Sequence, residues 1–418
     1  MSLSNPFIVG SGLPVPPPLW PRAIPTARIE TDADALRIAQ DLAAQLKQNA
    51  AAREQSNVFP LEELDLYSTS GLWGITVPRS HGGAGVSYST LGKVVQTIAA
   101  ADGALAQIAQ NHWAAVAVIT SCGTDSQKEE LFGLILEGKR CGNAFSERGN
   151  KTLTDLKTQL VREGEHVIIT GKKYYCTGAL AADLVPIVAV DDQGVAWLAI
   201  ADRDTQGLTV LNDWSAFGQR QTGSGTVLLE NVRVPLTRVL PAWKAYLPEN
   251  PRPDSAISQF IQASIDGGIA QGALEETISF VKTRTRAWID SHQDHAYEDP
   301  YTRHILGGLF ARLSACRALL DVAGQTIDTA VARPTPTSVA AAQIATAEAK
   351  IFTTELALDA TNKLFELAGT AAADTRYNLD RYWRNARTHT LHDPVRWKYA
   401  IVGDYYLNGT FPPLHAWS

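Results

Sequence analysis

The segment "CGNAFSERGNKTL", residues 141–153, marks the point at which the sequence changes from a helical to a β pattern. Before it, apolar residues recur every three or four positions, as they do on the buried face of a helix. After it, short β-branched runs at 158–179 and 222–235 alternate with Gly, Asp and Asn, which favour hairpin turns. Helical periodicity returns from Asp254 onward. This order of helices, strands and helices predicts an α+β protein with several domains.

The same changes of pattern give the predicted domain boundaries. A proline-rich extended arm occupies residues 1–27, and an N-terminal helical domain follows at 28–138. A central β domain of barrel or sandwich type is predicted at 139–250, and a C-terminal four-helix bundle at 251–418. A chain of 418 residues suits such a division, because single cores seldom grow beyond about 300 residues.

Composition and charge exclude several classes of partner. The chain has 37 basic and 43 acidic residues, and the resulting net charge of -6 argues against nucleic acid as the main partner. No apolar run approaches the roughly 20 residues that span a bilayer. The first residues contain prolines where a signal peptide needs a basic start and an apolar helix. These features predict a cytoplasmic protein without a membrane segment.

Sulfur-containing residues are few. The four cysteines show no CxxC spacing, so free buried thiols are expected instead of a disulfide framework or a structural zinc site. The chain contains one methionine, the first residue, beside ten tryptophans. Because leucine replaces methionine in cores at small cost, this depletion is compatible with economy in sulfur. Chance combined with codon bias is the alternative explanation.

The segment "RYWRNARTHTLHDPVRWKYA", residues 381–400, concentrates arginine, histidine and large aromatic residues. We predict a helix that extends to about His392 and ends before Pro394. Three interpretations are open: a metal site at His389, His392 and Asp393, a solvated basic face, or the floor of a pocket for a flat anion. Neighbouring arginines would repel a cation and a third neutral ligand is missing, so we predict no metal site.

Two segments of the β domain combine aromatic and small hydroxylated residues. They are "KKYYCTGA" at 172–179 and "NDWSAFGQRQTGSGT" at 212–226. Ordinary hairpins with core aromatics would explain each of them alone. Together with residues 142–149 they offer backbone amides, hydroxyls and flat walls, which suit a planar heterocycle with hydrogen-bonding edges.

The chain resembles the dibenzothiophene monooxygenase family and related sulfur-acquisition oxidoreductases of the acyl-CoA dehydrogenase superfamily. The resemblance covers nearly the whole chain and is most specific in "NDWSAFGQRQTGSG" and in "RYNLDRYWRNARTHTLHDP", residues 376–394. It implies the acyl-CoA dehydrogenase fold and a homotetramer built as a dimer of dimers. It also implies a two-component monooxygenase, in which an NAD(P)H-dependent flavin reductase supplies reduced FMN and O2 forms a flavin C4a-hydroperoxide. The implied substrate is a small organosulfur compound.

The resemblance also implies roles for individual residues. His392 would be the catalytic histidine beside the hydroperoxide, and Thr177, a serine in the family, would contact flavin N5. His112 and Asn143 would line the reaction cavity; for His112, a buried histidine bonded to a carbonyl is the alternative. Arg286 would bind the phosphate, which its planar guanidinium suits. The complete flavin-binding set implied in this way is Asn143, Ser146, Tyr175, Thr177, Trp214 and Arg286.

Two other functions remain open at this point. The first is an acyl-CoA dehydrogenase-like enzyme that uses FAD, with Asp393 as the base that removes a proton. FMN is favoured over FAD because Arg286 is followed by Ala287 and Trp288, where the dehydrogenases have Phe-Gly. The second is a scaffold that keeps the fold without catalytic activity.

Overall fold

The computed structural model describes residues 5–18 and 24–417. This part of the chain forms eleven α-helices and one seven-stranded sheet, and the helical, β and helical regions follow one another as predicted. The predicted fold class is therefore confirmed. The arm lies partly outside the described residues, at 1–4 and 19–23. Its described part forms single antiparallel bridges, Ile8 with Val58 and Pro14 with Leu211.

The N-terminal region is helical. Its helices are α1 (Asp32–Gln48), α2 (Ala50–Ser56), α3 (Leu61–Ser70), α4 (Tyr88–Ala101), α5 (Gly103–Cys122) and α6 (Asp125–Leu136). Asp102 separates α4 from α5, because its carboxylate accepts hydrogen bonds from the N–H groups of Ala104 and Leu105 and so caps α5. Helix α5 is apolar on most of its surface and is buried between the other elements.

The predicted barrel or sandwich takes the form of one mixed sheet. Its strands are β1 (Gln159–Glu163), β2 (His166–Lys173), β3 (Leu184–Val190), β4 (Ala196–Asp202), β5 (Leu208–Leu211), β6 (Thr226–Pro235) and β7 (Val239–Leu240). Their order is β5-β6-β2-β1-β3-β4-β7. Strands β1 and β3 are parallel, and the other neighbours are antiparallel.

Three long helices dominate the C-terminal region. They are α7 (Asp254–Thr283), α8 (Pro300–Ala332) and α9 (Pro336–Ala368), and the shorter α10 (Asp380–His389) and α11 (Arg396–Asn408) follow. Helix α10 ends at His389, so the predicted extension to His392 is wrong. Residues 390–393 form a turn instead, because Pro394 disfavours helical geometry just before it.

Helix α7 is the central helix and joins the two helical regions. An added Cβ at Gly272 would lie 2.3 Å from the carbonyl oxygen of Ala100, and one at Gly268 would lie 2.5 Å from that of Gln96. Only glycine permits α4 and α7 to approach so closely. Among the described helices, none combines the length and the apolar character that crossing a bilayer requires.

Candidate active site

The turn that follows β2 positions Thr177. Tyr175 adopts a left-handed backbone with φ of 57°, and Gly178 does so with φ of 77°. The N–H of Cys176 donates to the carbonyl of Gly225 at 3.0 Å, which ties this turn to the start of β6. Thr177 is held at the end of the sheet with only 4% of its surface exposed.

A chain of three hydroxyl groups begins at Thr177. Its Oγ1 lies 2.7 Å from Oγ of Ser224, which lies 2.7 Å from Oγ1 of Thr222. The Thr222 hydroxyl donates to the carbonyl of Gln219 at 2.9 Å. The segment that contains these hydroxyls stood out in the sequence, but no sequence pattern gave Ser224 or Thr222 a role. Their contact with Thr177 depends on the pairing of β2 with β6, which spacing alone did not reveal.

Two aromatic rings border the same turn. The rings of Tyr175 and Trp214 meet edge to face with centroids 6.1 Å apart. The Trp214 indole N–H donates to the Gln219 carbonyl at 2.9 Å, which fixes the ring. Tyr175 is 47% exposed, and the guanidinium of Arg148 lies over its face at 4.7 Å. Large aromatic surface is therefore accessible beside Thr177.

Asn143 and Ser146 lie on an extended segment next to this turn. An added Cβ at Gly142 would come within 2.7 Å of the Ala179 Cα, so the segment packs directly on the turn. Ser146 forms an antiparallel bridge with Tyr174. Asn143 is buried, and its Oδ1 has no hydrogen-bond partner among the described residues. An unpaired buried carbonyl oxygen costs free energy, so this atom is suited to a ligand's N–H group.

Helix α10 is docked against the loop that carries these groups. The side-chain oxygen of Asn385 accepts a hydrogen bond from the Gln219 N–H at 2.8 Å. At the far end of α10, Nδ1 of His389 lies 2.6 Å from Oδ1 of Asp266, and the Thr354 hydroxyl donates to the other carboxylate oxygen at 3.1 Å. His389 and Asp266 are both buried, and no sequence pattern pointed to Asp266.

His392 lies in the turn after α10 with its side chain 41% exposed. Its Nδ1 is 3.1 Å from Nε2 of Gln262. Lys350 donates to Oε1 of the same amide at 3.0 Å, so the amide oxygen faces the lysine and the NH2 group faces the histidine. Nδ1 also lies 3.3 Å from Oδ1 of Asp393, so it stands between an amide N–H donor and a carboxylate acceptor.

Asp393 is buried beside two lysines. Its Oδ2 lies 3.5 Å from Nζ of Lys350, and Lys398 is also buried nearby. Burial alone would raise the pKa of Asp393, but the charge of Lys350, the contact with His392 and the charge of Lys398 hold that pKa well below its usual range. Burial lowers the pKa of Lys398 to about 8. Asp393 is thus an ion-pair partner and a weak base.

His112 occupies the buried environment, bonded to a carbonyl, that was the alternative to a cavity position. It is completely buried, its Nε2 is 2.9 Å from the Trp73 carbonyl, and its Nδ1 accepts from the Cys141 N–H at 3.0 Å. Burial lowers the pKa of His112 to about 4. Both ring nitrogens are engaged by backbone groups, so neither is available to a reacting molecule in this arrangement.

Arg286 is not joined to the cluster around Thr177. It lies exposed in the loop after α7, where the neighbouring Thr285 hydroxyl donates to the Ala368 carbonyl at 3.1 Å. Within residues 5–18 and 24–417, no hydrogen bond or ion pair links Arg286 to the other site residues. The same described ranges contain no group of three His, Cys, Asp or Glu side chains that could hold a metal ion.

Comparisons with known proteins agree with this architecture. Residues 35–139 match the family "Acyl-CoA dehydrogenase, N-terminal domain", and residues 260–397 match "Acyl-CoA dehydrogenase, C-terminal domain". The chain is 33% identical to a dibenzothiophene monooxygenase of Rhodococcus qingshengii, and the alignment covers 92% of this chain and 96% of that protein. It is 31% identical to the "Probable FMNH2-dependent monooxygenase SfnC" of Pseudomonas putida, covering 90% of this chain and 96% of that protein.

A solved structure shows the same likeness in three dimensions. The crystal structure of FMN-bound TdsC from Paenibacillus sp. A11-2 has a TM-score of 0.88 and 30% sequence identity, and the match covers 92% of this chain and 100% of that one. Identity and coverage at this level confirm the resemblance found in the sequence. The chain belongs to the dibenzothiophene monooxygenase family, within the acyl-CoA dehydrogenase superfamily.

Proposed function

We propose that this protein is the oxygenase component of a two-component flavin-dependent monooxygenase. It uses reduced FMN, supplied by an NAD(P)H-dependent flavin reductase, and O2 to oxygenate a small organosulfur compound during sulfur acquisition. The observation that carries the proposal is the meeting of the Thr177 hydroxyl, the unpaired Oδ1 of Asn143 and the exposed aromatic surface of Tyr175 at one end of the sheet. The printed names of the relatives support the same chemistry.

The residues present fit FMN. Trp214 and Tyr175 offer flat surface to the ring system, and Asn143 offers its unpaired oxygen to a ring N–H. Thr177 would contact N5, and Ser146 lies on the adjoining segment. Reduced FMN, when bound, supplies the electron pair that activates O2. In addition, Arg286 is exposed and would bind the phosphate.

His392 would exchange the proton that accompanies oxygen transfer. Gln262 and Asp393 both contact Nδ1 and hold the ring, and 41% of the side chain is exposed. A histidine is suited to this task because its usual pKa lies near neutral pH. We assign His112 a structural role instead, since backbone groups engage both of its nitrogens.

The dehydrogenase alternative has less support. A base that removes a proton from carbon needs a pKa near the working pH, and the ion pair with Lys350 moves the pKa of Asp393 in the opposite direction. A buried carboxylate that already neutralises a lysine gains little by accepting a proton. The printed names of the relatives, which are those of monooxygenases, disfavour the scaffold alternative.

Quaternary structure, location and domain limits are further parts of the proposal. We propose a homotetramer arranged as a dimer of dimers. Helix α11 and the turn before it expose large apolar side chains, which commonly mark protein interfaces, at Leu391, Trp397, Tyr406 and Leu407. We also propose a cytoplasmic location, where NAD(P)H is available to the reductase, and the domain limits 28–138, 139–250 and 251–418 with the arm at 1–27.

Oxygen incorporation tests the function directly. The purified protein is combined with a flavin reductase, NADH, FMN and isotopically labelled O2, and dibenzothiophene, an alkyl sulfide and an alkyl sulfone are offered in turn. We expect labelled oxygen in the product of at least one of them, and no labelled product without the oxygenase. Reduction of a dye acceptor by acyl-CoA substrates, with no labelled sulfur product, would overturn the proposal in favour of the dehydrogenase.

A further inference from the structure

We propose that Ser224 and Thr222 are positioning residues that hold Thr177 as a hydrogen-bond acceptor, so that the site binds reduced flavin in preference to oxidised flavin. This inference rests on the proposed flavin site and adds to it two residues for which the sequence gave no role. It follows from the direction in which the hydrogens of the hydroxyl chain must point.

The direction of the chain is fixed at its far end. The carbonyl of Gln219 has no hydrogen to give, so the Thr222 hydroxyl donates to it at 2.9 Å. Thr222 has then used its one hydrogen, and its contact with Ser224 at 2.7 Å requires Ser224 to be the donor. Ser224 has likewise used its hydrogen, so Thr177 must donate to Ser224 across their 2.7 Å contact. Each hydroxyl carries one hydrogen, and all three are now committed.

The surroundings keep this direction fixed. Thr177, Ser224 and Thr222 are 4%, 4% and 0% exposed, so bulk water cannot readily replace one of the partners. The Gln219 carbonyl that ends the chain also accepts from the Trp214 indole, and the Gln219 N–H donates to Asn385 at 2.8 Å. Hydrogen bonds on both sides of this peptide therefore prevent the Gln219 carbonyl from rotating away from Thr222.

The consequence concerns the flavin ring atom that Thr177 would meet. N5 carries a hydrogen in reduced flavin and a bare lone pair in oxidised flavin. With its hydrogen committed to Ser224, Thr177 offers only lone pairs on its outer side. It can accept from the N–H of reduced FMN, but two lone pairs would face each other with oxidised FMN. A pocket that keeps Thr177 in this state favours reduced over oxidised flavin and helps to retain the N5 hydrogen.

The test compares the affinities of the two flavin states. Anaerobic titration gives Kd for reduced FMN and titration in air gives Kd for oxidised FMN, in the wild type and in Ser224→Ala. Without its acceptor, the Thr177 hydroxyl can rotate and donate to bare N5. We expect the ratio of oxidised to reduced Kd to fall about tenfold, which lowers the potential of the bound two-electron couple by about 30 mV.

Matched variants separate this role from a general effect on packing. Thr222→Val removes the acceptor of Ser224 and should lower the Kd ratio in the same way. Ser224→Thr retains the hydroxyl and should keep the Kd ratio of the wild type. Ser215→Ala, at an exposed position of the same loop, should leave the ratio unchanged. A ratio within twofold of wild type in both Ser224→Ala and Thr222→Val would overturn the inference, even if the wild type forms labelled product. Absence of labelled product together with a lowered ratio would overturn only the proposed oxygenase function.

Discussion

Nε2 of Gln262 lies 3.1 Å from Nδ1 of His392, and this contact connects α7 to the turn after α10. Lys350 of α9 orients the same amide from its other side at 3.0 Å. Side chains of α7 and α9 thus hold the His392 ring, together with the neighbouring Asp393, whose Oδ1 lies 3.3 Å from the same Nδ1. The other face of the ring is accessible, since 41% of the side chain is exposed. The arrangement is that of a proton-transfer group held by its surroundings.

We therefore expect His392→Ala to reduce oxygenation about a hundredfold, because a positioned imidazole contributes on that order as an acid or base. The melting temperature should change little, since the side chain is only partly buried. Product formation with reduced FMN and O2 is the measurement. His304→Ala, at an exposed histidine of α8, is the matched control. Equal turnover in the two variants would exclude His392 as the proton-transfer group.

The buried pair of Lys350 and Asp393 should contribute to stability at neutral pH. Asp393→Asn leaves Lys350 without its charged partner, and breaking a buried ion pair costs about 3 kcal/mol. Because the pKa of Asp393 is lowered in the folded protein, this contribution is present above the unfolded value of about 4 and is lost as the pH falls below it. Urea unfolding between pH 7 and pH 3.5 should show the difference from wild type shrinking at the acid end.

Asp294→Asn is the control for this experiment, because Asp294 is exposed. It should change the free energy of unfolding by less than about 0.5 kcal/mol at every pH. The Asp393→Asn protein that remains folded should still oxygenate substrate. A different outcome would identify Asp393 as the base of a dehydrogenase. In that outcome the wild type oxidises acyl-CoA substrates, and the Asp393→Asn variant folds normally but has lost this activity.

The features that could be predicted from the sequence are those that depend on residues close together along the chain. The periodic apolar runs of α7, α8 and α9 and the hairpin residues of the sheet are local signals, and they gave the fold class correctly. The segment that contains Tyr175 and Thr177 stood out in the same way, from an unusual local composition. Helix α10 was predicted too long because periodicity continues past His389, whereas the turn geometry before Pro394 ends the helix.

Properties that depend on distant partners could not be read in this way. His112 looked like a cavity residue, but its two nitrogens bond groups 39 and 29 residues away. Lys350 and Gln262 are polar residues inside apolar helices, a signal that could have drawn attention to them, yet their partners become visible only when α7 and α9 are packed together. Arg286 has no described contact with the rest of the site, so its phosphate role stays a prediction.

His112→Gln should change how stability depends on pH. The folded protein keeps the pKa of His112 at about 4, below the value of about 6.5 expected in the unfolded chain. The unfolded state therefore binds this proton first, and wild-type stability should decline as the pH falls from about 6.5 towards 4. The variant lacks this titration, so its decline over that range should be shallower, although it should be less stable than wild type at pH 8. Urea unfolding across this range provides the measurement, with the exposed His304→Gln as control.

Asn143→Leu should separate binding from folding. The Oδ1 of Asn143 is buried without a partner among the described residues, so replacing it by a side chain of similar size removes an unfavourable atom. We expect the flavin-free protein to be as stable as wild type or more stable, while the Kd for reduced FMN rises about tenfold through loss of one hydrogen bond. Asn212→Leu is the matched contrast, because the Oδ1 of Asn212 is also unpaired but its Nδ2 donates to the carbonyls of Pro6 and Ile8 at 2.9 Å each. That variant should lose stability and retain its affinity for FMN. If Asn143→Leu instead lost stability and bound FMN normally, Asn143 would be a structural residue. A flavin-binding residue should lose affinity for FMN and keep its stability.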